Sequence, residues 1–185
     1  MKKKYCCLTK NENTYKNYSL ETIQPNEIEK IRIWRNKNIK ILRQTKKIKK
    51  KQQVHYFQKN IWPDMKTKQP KNILLSFKEN NKLIGYGGFV HISWENKRSE
   101  ISFMMENIDE YNDAYKQNFK IFFLLLKKIA FNDLRFKKIY VETFVHRKRH
   151  IKILEFFGFK KEGKLKKHYY FNNLYVDSIL HSYIK

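Results

Sequence analysis

Few residues of this chain have types and positions that can carry chemistry. His91 follows a glycine-rich run, Ile84-Gly85-Tyr86-Gly87-Gly88-Phe89-Val90, and an imidazole titrates near neutrality, so it can take or give a proton under cellular conditions. Gly87 and Gly88 read either as a bulge or close backbone approach, or as an accommodation of sheet twist. Glu100 sits in Ser99-Glu100-Ile101-Ser102-Phe103. Its carboxylate either takes part in proton transfer or pairs with Lys97, Arg98 or another cation. Arg147, Lys148, Arg149 and His150 open a helical stretch, where cations oppose the helix dipole; they call for an anionic neighbour or for solvation.

The cysteines are the adjacent pair Cys6 and Cys7. That spacing offers neither a disulfide framework nor a thiolate zinc site, so no metal is expected and a reducing, cytoplasmic setting is. Lys2, Lys3 and Lys4 before Tyr5-Cys6-Cys7-Leu8 imitate the start of a signal peptide, but the apolar run ends at once in Thr9-Lys10-Asn11-Glu12. The most apolar stretch, Ile121 to Leu126, is cut by Lys127 and Lys128 and is too short to span a bilayer.

Lys and Arg total 41 against 17 Asp and Glu, a formal net charge of +24. A field of that sign concentrates phosphate-bearing partners, whether nucleotides, nucleic acid or anionic surfaces. The excess is mostly Lys in a chain also crowded with Asn and Ile, which looks more like compositional drift than a selected patch. Apolar residues at 41% exclude a disordered chain, and 185 residues suit one domain.

The elements that must position these residues follow from periodicity. Residues 1–16 lack a period and read as a flexible basic arm, with a single domain over 17–185. Tyr18 to Gln24 suits a strand, and Pro25-Asn26-Glu27 opens a helix carrying Ile28, Ile31 and Trp34. A second helix carries Ile48, Val54, Phe57 and Ile61, closed by Trp62-Pro63. Ile73 to Phe77 and Leu83 to Trp94 form a hairpin about Asn80-Asn81, and Arg98 to Met105 is another strand. Phe119, Phe122, Phe123, Leu126, Ile129 and Ala130 make the wide stripe of a helix packed on a sheet. Lys138 to Val145 is a strand, Arg147 to Phe157 a helix capped by Gly158, and the tail folds into a hairpin about Asn172-Asn173. The sum is an α/β (α+β) domain: one mixed, mostly antiparallel, twisted sheet of about seven strands flanked by about four helices.

This order, with Trp34-Arg35-Asn36, Ile84 to Ile92, Ser99 to Phe103, Leu154-Glu155-Phe156-Phe157-Gly158-Phe159, Glu162-Gly163-Lys164-Leu165 and Val176-Asp177-Ser178, resembles the GNAT N-acetyltransferases. The likeness is to their subgroup of ribosomal-protein N-terminal and amino-sugar acetyltransferases. It implies the GNAT fold and transfer of an acetyl group from acetyl-CoA to a primary amine. It also implies Glu100 as base, often through water, with His91 as its rival or partner.

Donor contacts implied by the resemblance fall on Phe103, Met104 and Met105, whose backbone would meet the pantetheine arm. Tyr115, Lys116, Gln117 and Asn118 match the family's phosphate loop, and Arg147 and His150 stand beside the donor. Here the loop has lost its usual glycines. Where many relatives supply a Tyr as acid to the leaving thiolate, this chain has Leu154, leaving Tyr169, Tyr170 or Tyr175 as conceivable substitutes.

The acceptor implied first is an amino sugar on a nucleotide, which the positive field would attract; a protein N-terminus is the alternative. A third reading is a nucleic-acid-binding module on a non-catalytic scaffold. A monomer or homodimer is expected.

Overall fold

The computed structural model describes residues 2–171 and 173–185. Met1 and Asn172, the latter half of the turn pair expected in the last hairpin, lie outside the described residues. Eight strands form one sheet: β1 Glu12–Tyr15, β2 Tyr18–Thr22, β3 Ile73–Glu79, β4 Lys82–Ser93, β5 Arg98–Met105, β6 Lys138–Phe144, β7 Lys160–Phe171 and β8 Leu174–Ile184. Their spatial order is β1-β2-β3-β4-β5-β6-β8-β7. Among the described residues only β5 and β6 run parallel, because the chain between them crosses the sheet as helix α4, Asp113–Lys128.

Helix α4 explains where the core lies. Asn112 caps it, its side-chain oxygen accepting from the Ala114 amide at 2.8 Å. The expected stripe of Phe119, Phe122, Phe123, Leu126, Ile129 and Ala130 is buried throughout. A wide turn, Ile129–Asp133, prolongs it. Phe103 of β5 stands over this face, its ring 4.7 Å from that of Phe122 and 5.2 Å from Phe119. Such aromatic contacts bind sheet to helix beyond simple area burial.

On the other face, helix α1 (Ile28–Lys37) buries Ile28, Ile31 and Trp34. The second expected helix is shorter than its apolar residues suggested. Helix α2 spans Lys50–Tyr56, and Ile48 lies before it, its carbonyl accepting from Arg32 and Asn36. The helical path continues past Trp62-Pro63 through a wide turn, Phe57–Ile61, into α3, Trp62–Asp64. Widening the turn before Pro63 absorbs the missing amide that would otherwise break the ladder. Helix α5, Lys148–Phe156, ends at Gly158 with φ +93°, as expected of a left-handed cap. Among the described residues no helix is long and apolar enough to cross a membrane.

Residues 1–16 were expected to be a loose arm; within residues 2–16, Tyr5, Leu8 and the strand β1 are instead held against the domain. Tyr5 is almost wholly buried, and its hydroxyl accepts from the Leu74 amide at 2.8 Å. Leu8 is buried too, and β1 pairs antiparallel with β2. A satisfied aromatic anchor and one short strand suffice to hold a segment that shows no period, and they raise the strand count from seven to eight.

The glycines of β4 serve backbone approach. A Cβ on Gly87 would lie 2.2 Å from the Ser102 carbonyl oxygen, and one on Gly88, at φ +135°, 2.0 Å from that of Ile73. Gly163 in β7 has nothing within 4 Å of a Cβ. Gly88→Ala should therefore cost at least about 2 kcal/mol in denaturant unfolding. Gly163→Ala should change stability by no more than about 0.5 kcal/mol.

Candidate active site

Strands β5 and β6 pair at only three positions, Arg98↔Lys138, Ser99↔Ile139 and Glu100↔Tyr140. Past Glu100 each follows its other neighbour: β5 stays paired with β4 as far as Gly85↔Met105, and β6 with β8 as far as Phe144↔Ser178. The sheet thus forks, and the β5 and β6 edges that face each other have no ladder. A cleft of about 110 Å³ opens there, lined by Ile101 to Phe103 on one side and Val141 to Phe144 on the other. Phe119 and Leu154 line its helix side, and Ile41, Leu42 and Arg43 its opposite side.

Glu100 occupies the apex of the fork and is only 4% exposed. A carboxylate so buried needs charge compensation worth several kcal/mol. Arg43 supplies it and His91 adds a hydrogen bond, rather than Lys97 or Arg98: the Arg43 guanidinium is paired with Oε1, and His91 Nδ1 lies 2.7 Å from Oε2. Arg43 also reaches Glu142 of β6 at 3.0 Å, and Ser178 of β8 donates to Glu142 at 2.7 Å. One guanidinium therefore bridges carboxylates on the two strands that part.

Local sequence explains how Arg43 is held in an irregular segment. Arg35 donates to Tyr86 of β4 at 2.9 Å and to Gln44 at 3.1 Å. Asn36 accepts from Gln44 at 3.0 Å and from the Ile48 amide at 2.8 Å. The Trp34-Arg35-Asn36 string thus folds residues 38–49 over the fork, with Gln44 buried beneath.

His91 reaches Glu100 because β4 is irregular there. Its register shifts between Val90 and Ser93, and His91 itself sits at φ +48°. A non-glycine residue in that region is unusual, and a bulge of this kind re-aims a side chain. A Glu100 carboxylate only accepts, so it takes the hydrogen of Nδ1, and a neutral imidazole so held turns the Nε2 lone pair outward. The His91 side chain is 64% exposed, which leaves Nε2 accessible.

A second polar cluster joins the starts of α4 and α5. Tyr115 and His150 are buried, with the Tyr115 hydroxyl 3.0 Å from His150 Nδ1. Arg147 Nη2 donates to the same hydroxyl at 3.3 Å, and Arg147 Nε to Glu110 Oε1 at 2.6 Å. The other Glu110 oxygen accepts from the His150 amide at 3.2 Å. Burial first, and then the Arg147 charge, hold the His150 imidazole well below its ordinary value. Burial likewise pushes the Tyr115 phenol up. The neutral imidazole accepts a hydrogen bond from the tyrosine hydroxyl at Nδ1, and the hydroxyl accepts one from Arg147.

The fork gathers four of the expected site residues into its lining: Glu100, Phe103, Arg147 and His150. His91 joins through Glu100. Met104 is buried in the core, whereas Met105, Tyr115 and Asn118 line a separate hollow of about 260 Å³. The Lys116 ammonium lies 3.8 Å from the centre of the Phe156 ring. Gln117 faces a third hollow with Lys16 and Lys120. Leu154 is wholly buried in the cleft wall; Tyr169 packs on Phe144 at 5.2 Å, and Tyr170 and Tyr175 are exposed. Arg43, Glu142 and Glu110 were not singled out from the sequence. Of these, only Glu110 was signalled, by the basic start of α5 that called for an anion.

An acyl-CoA fits this arrangement in two respects. The edge of residues 101–105 that faces β6 is unladdered, their other edge being paired with β4, and is available to an extended amide-bearing arm; the amino-terminal ends of two helices converge beside it. Residues 20–180 match the family described as Acetyltransferase (GNAT) domain. No curated protein matches the chain.

Among solved structures, the spermidine N-acetyltransferase from Vibrio cholerae, in complex with CoA and spermine, is similar at TM-score 0.78. The identity is 15%, covering 91% of this chain and 95% of that one. The microcin C7 self-immunity acetyltransferase, in complex with acetyl-CoA and AMP, is similar at TM-score 0.72 and 17% identity, covering 92% and 94%. At these identities the likeness is one of fold.

The His150 environment sets a pH dependence. Its folded pKa lies below the unfolded value, so the unfolded chain binds a proton that the folded one does not. Stability should be unaffected above about pH 6.5 and fall below it by up to about 1.4 kcal/mol per pH unit. Denaturant unfolding between pH 7 and 5 should show this slope in the wild type and a correspondingly shallower one in His150→Gln.

Proposed function

The chain belongs to the GNAT acetyltransferase family, and on that premise we propose that His91 and Glu100 act together as the base for acetyl transfer to an amine at the fork. The observation that carries this reading is the 2.7 Å contact between His91 Nδ1 and Glu100 Oε2 at the last paired position before the strands part. Acetyl-CoA supplies the acyl group. His91 Nε2 takes the proton that the amine loses as its nitrogen attacks the thioester carbonyl; the C–S bond then breaks, and the CoA thiolate leaves as the free thiol after taking a proton from solvent. Glu100 fixes the imidazole tautomer and stabilises the imidazolium, the role a buried carboxylate plays toward a catalytic histidine. Both Glu100 oxygens are already engaged, which favours this division over direct proton transfer to the carboxylate. Amides of residues 103–105 along the open edge of β5 would stabilise the developing oxyanion.

The acceptor is a primary amine on a small, phosphate-bearing molecule, a nucleotide-linked amino sugar being the form we favour. The net charge of +24 attracts such a substrate and repels a polyamine. A neighbour of the same fold that holds both acetyl-CoA and AMP supports a nucleotide-bearing acceptor on this fold.

Free-thiol release from acetyl-CoA, screened over amino-sugar nucleotides, polyamines and peptides, tests the assignment. Turnover should be greatest with an amino-sugar nucleotide; a preference for a peptide amino terminus would replace that acceptor. His91→Ala should lower kcat by about 10²–10⁴ and remove the imidazole's limb from the pH profile. Glu100→Gln should lower kcat similarly, and the double variant should be little worse than either single one, as residues acting as a unit behave. Full activity in His91→Ala would remove the imidazole from the mechanism.

A further inference from the structure

The β6 wall of the fork carries one polar side chain that the site described above does not use. Strand β6 keeps its ladder to β8 at this level, with Thr143 opposite Ile179. Its side chains therefore alternate between the two faces of the sheet. Glu142 meets Arg43 on one face, which puts Thr143 on the other, with the helices. The helix-side lining there includes Phe119 and Leu154, whose side chains neither donate nor accept, and His150, whose Nδ1 already holds the Tyr115 hydroxyl.

Thr143 is 2% exposed, and its hydroxyl has no hydrogen-bond partner in the protein. Among the described residues, buried side-chain nitrogen or oxygen atoms in that condition belong to Asn13, Thr143, Arg149 and His181, and of these residues only Thr143 lines the fork. A buried hydroxyl left unpaired destabilises the fold, and a valine has the same shape without the polar group. A ligand group entering the cleft removes that penalty.

The side of the sheet identifies the ligand. Glu100 and His91 are joined to Arg43, which lines the wall opposite the helices. Thr143 is thus kept apart from the amine that meets His91, and it stands three residues past Tyr140, the last residue of β6 to pair with β5. Resting on the reading that acetyl-CoA is the donor, we propose that the Thr143 hydroxyl hydrogen-bonds an amide group of the donor's pantetheine arm. A hydroxyl both donates and accepts, so either the carbonyl or the N–H of such an amide satisfies it. Thr143 then sets how tightly the donor is held and takes no part in the chemical step.

The experiment measures denaturant unfolding and the Kd of two probes, acetyl-CoA and S-acetylpantetheine, which has the same arm and thioester but no phosphate. Thr143→Val should unfold, without ligand, at a denaturant midpoint equal to or above that of the wild type. It should weaken both probes by the same factor, about tenfold, the measure of one hydrogen bond. Its kcat at saturating acetyl-CoA should be unchanged. Thr143→Ser, which keeps the hydroxyl, should bind both probes as the wild type does.

A Thr143→Val chain that is destabilised or fails to fold gives the hydroxyl a partner within the protein and overturns the proposal. Unchanged affinity for both probes overturns it too, as does a loss confined to acetyl-CoA or a fall in kcat with Kd unchanged. In each of those cases the wild type still binds donor, and the family reading stands. A wild-type protein that binds neither probe removes the donor reading itself, and the Thr143 contact with it.

Discussion

Burial of the Glu100 charge is the constraint around which the rest of the site is arranged. A carboxylate at the apex of a fork in a sheet loses much of its hydration while the strands beside it stop exchanging hydrogen bonds, so its charge must be met by side chains. Arg43 meets one oxygen and His91 the other. Each partner imposes a further demand. Arg43 requires the irregular segment 38–49 to fold over the fork, which Arg35, Asn36 and Gln44 accomplish through hydrogen bonds to one another and to Tyr86. His91 requires a bulge and a left-handed backbone in β4. Strain at that point is compensated by the pairing it permits, and the same pairing leaves an accessible imidazole nitrogen aimed away from the buried carboxylate.

The donor side follows a parallel logic with the signs exchanged. The loop into α4 lacks the glycines that let backbone amides approach phosphates, and Tyr115 fills part of the space, bonded to His150 and Arg147. Positive potential at the start of α5 is met by Glu110 instead of being left to solvent. Both halves of the fork are therefore occupied by internal partners: a guanidinium between two carboxylates on one side, a carboxylate on a guanidinium and a helix end on the other. A fold whose open cleft is lined by charges of both signs is stable without ligand because each charge has an internal counterpart.

Much of the fold was legible in the sequence because it rests on local signals. The hairpin about Asn80-Asn81 is there, with both residues at positive φ, and the stripe of α4 is buried as its period requires. Residues 2–16 were not legible, since Tyr5 and Leu8 are held by single contacts to distant positions and carry no period. The start of α2 was misplaced because Ile48 is apolar yet lies in the segment that Asn36 organises.

At the site, Glu100 and His91 stood out by type and place, but Arg43 and Glu142 did not. Their pairing spans 99 residues, and no spacing rule announces an arginine in an irregular stretch. The basic run at 147–150 pointed either to an anionic neighbour or to solvation, and nothing local said that Glu110 of the same chain meets Arg147 and the His150 amide.

The central claim is that the gap between β5 and β6 past Glu100 receives the donor, and amide hydrogen exchange with and without acetyl-CoA tests it most directly. The unladdered edges there have no hydrogen-bond partner across the gap, so bound donor should slow exchange at those amides of residues 101–105 that face the gap rather than β4, and around the start of α5, while β1, β2 and the β7–β8 hairpin stay unchanged. Saturating acetyl-CoA that leaves residues 101–105 exchanging as before, or protects a different face of the domain, would contradict the account.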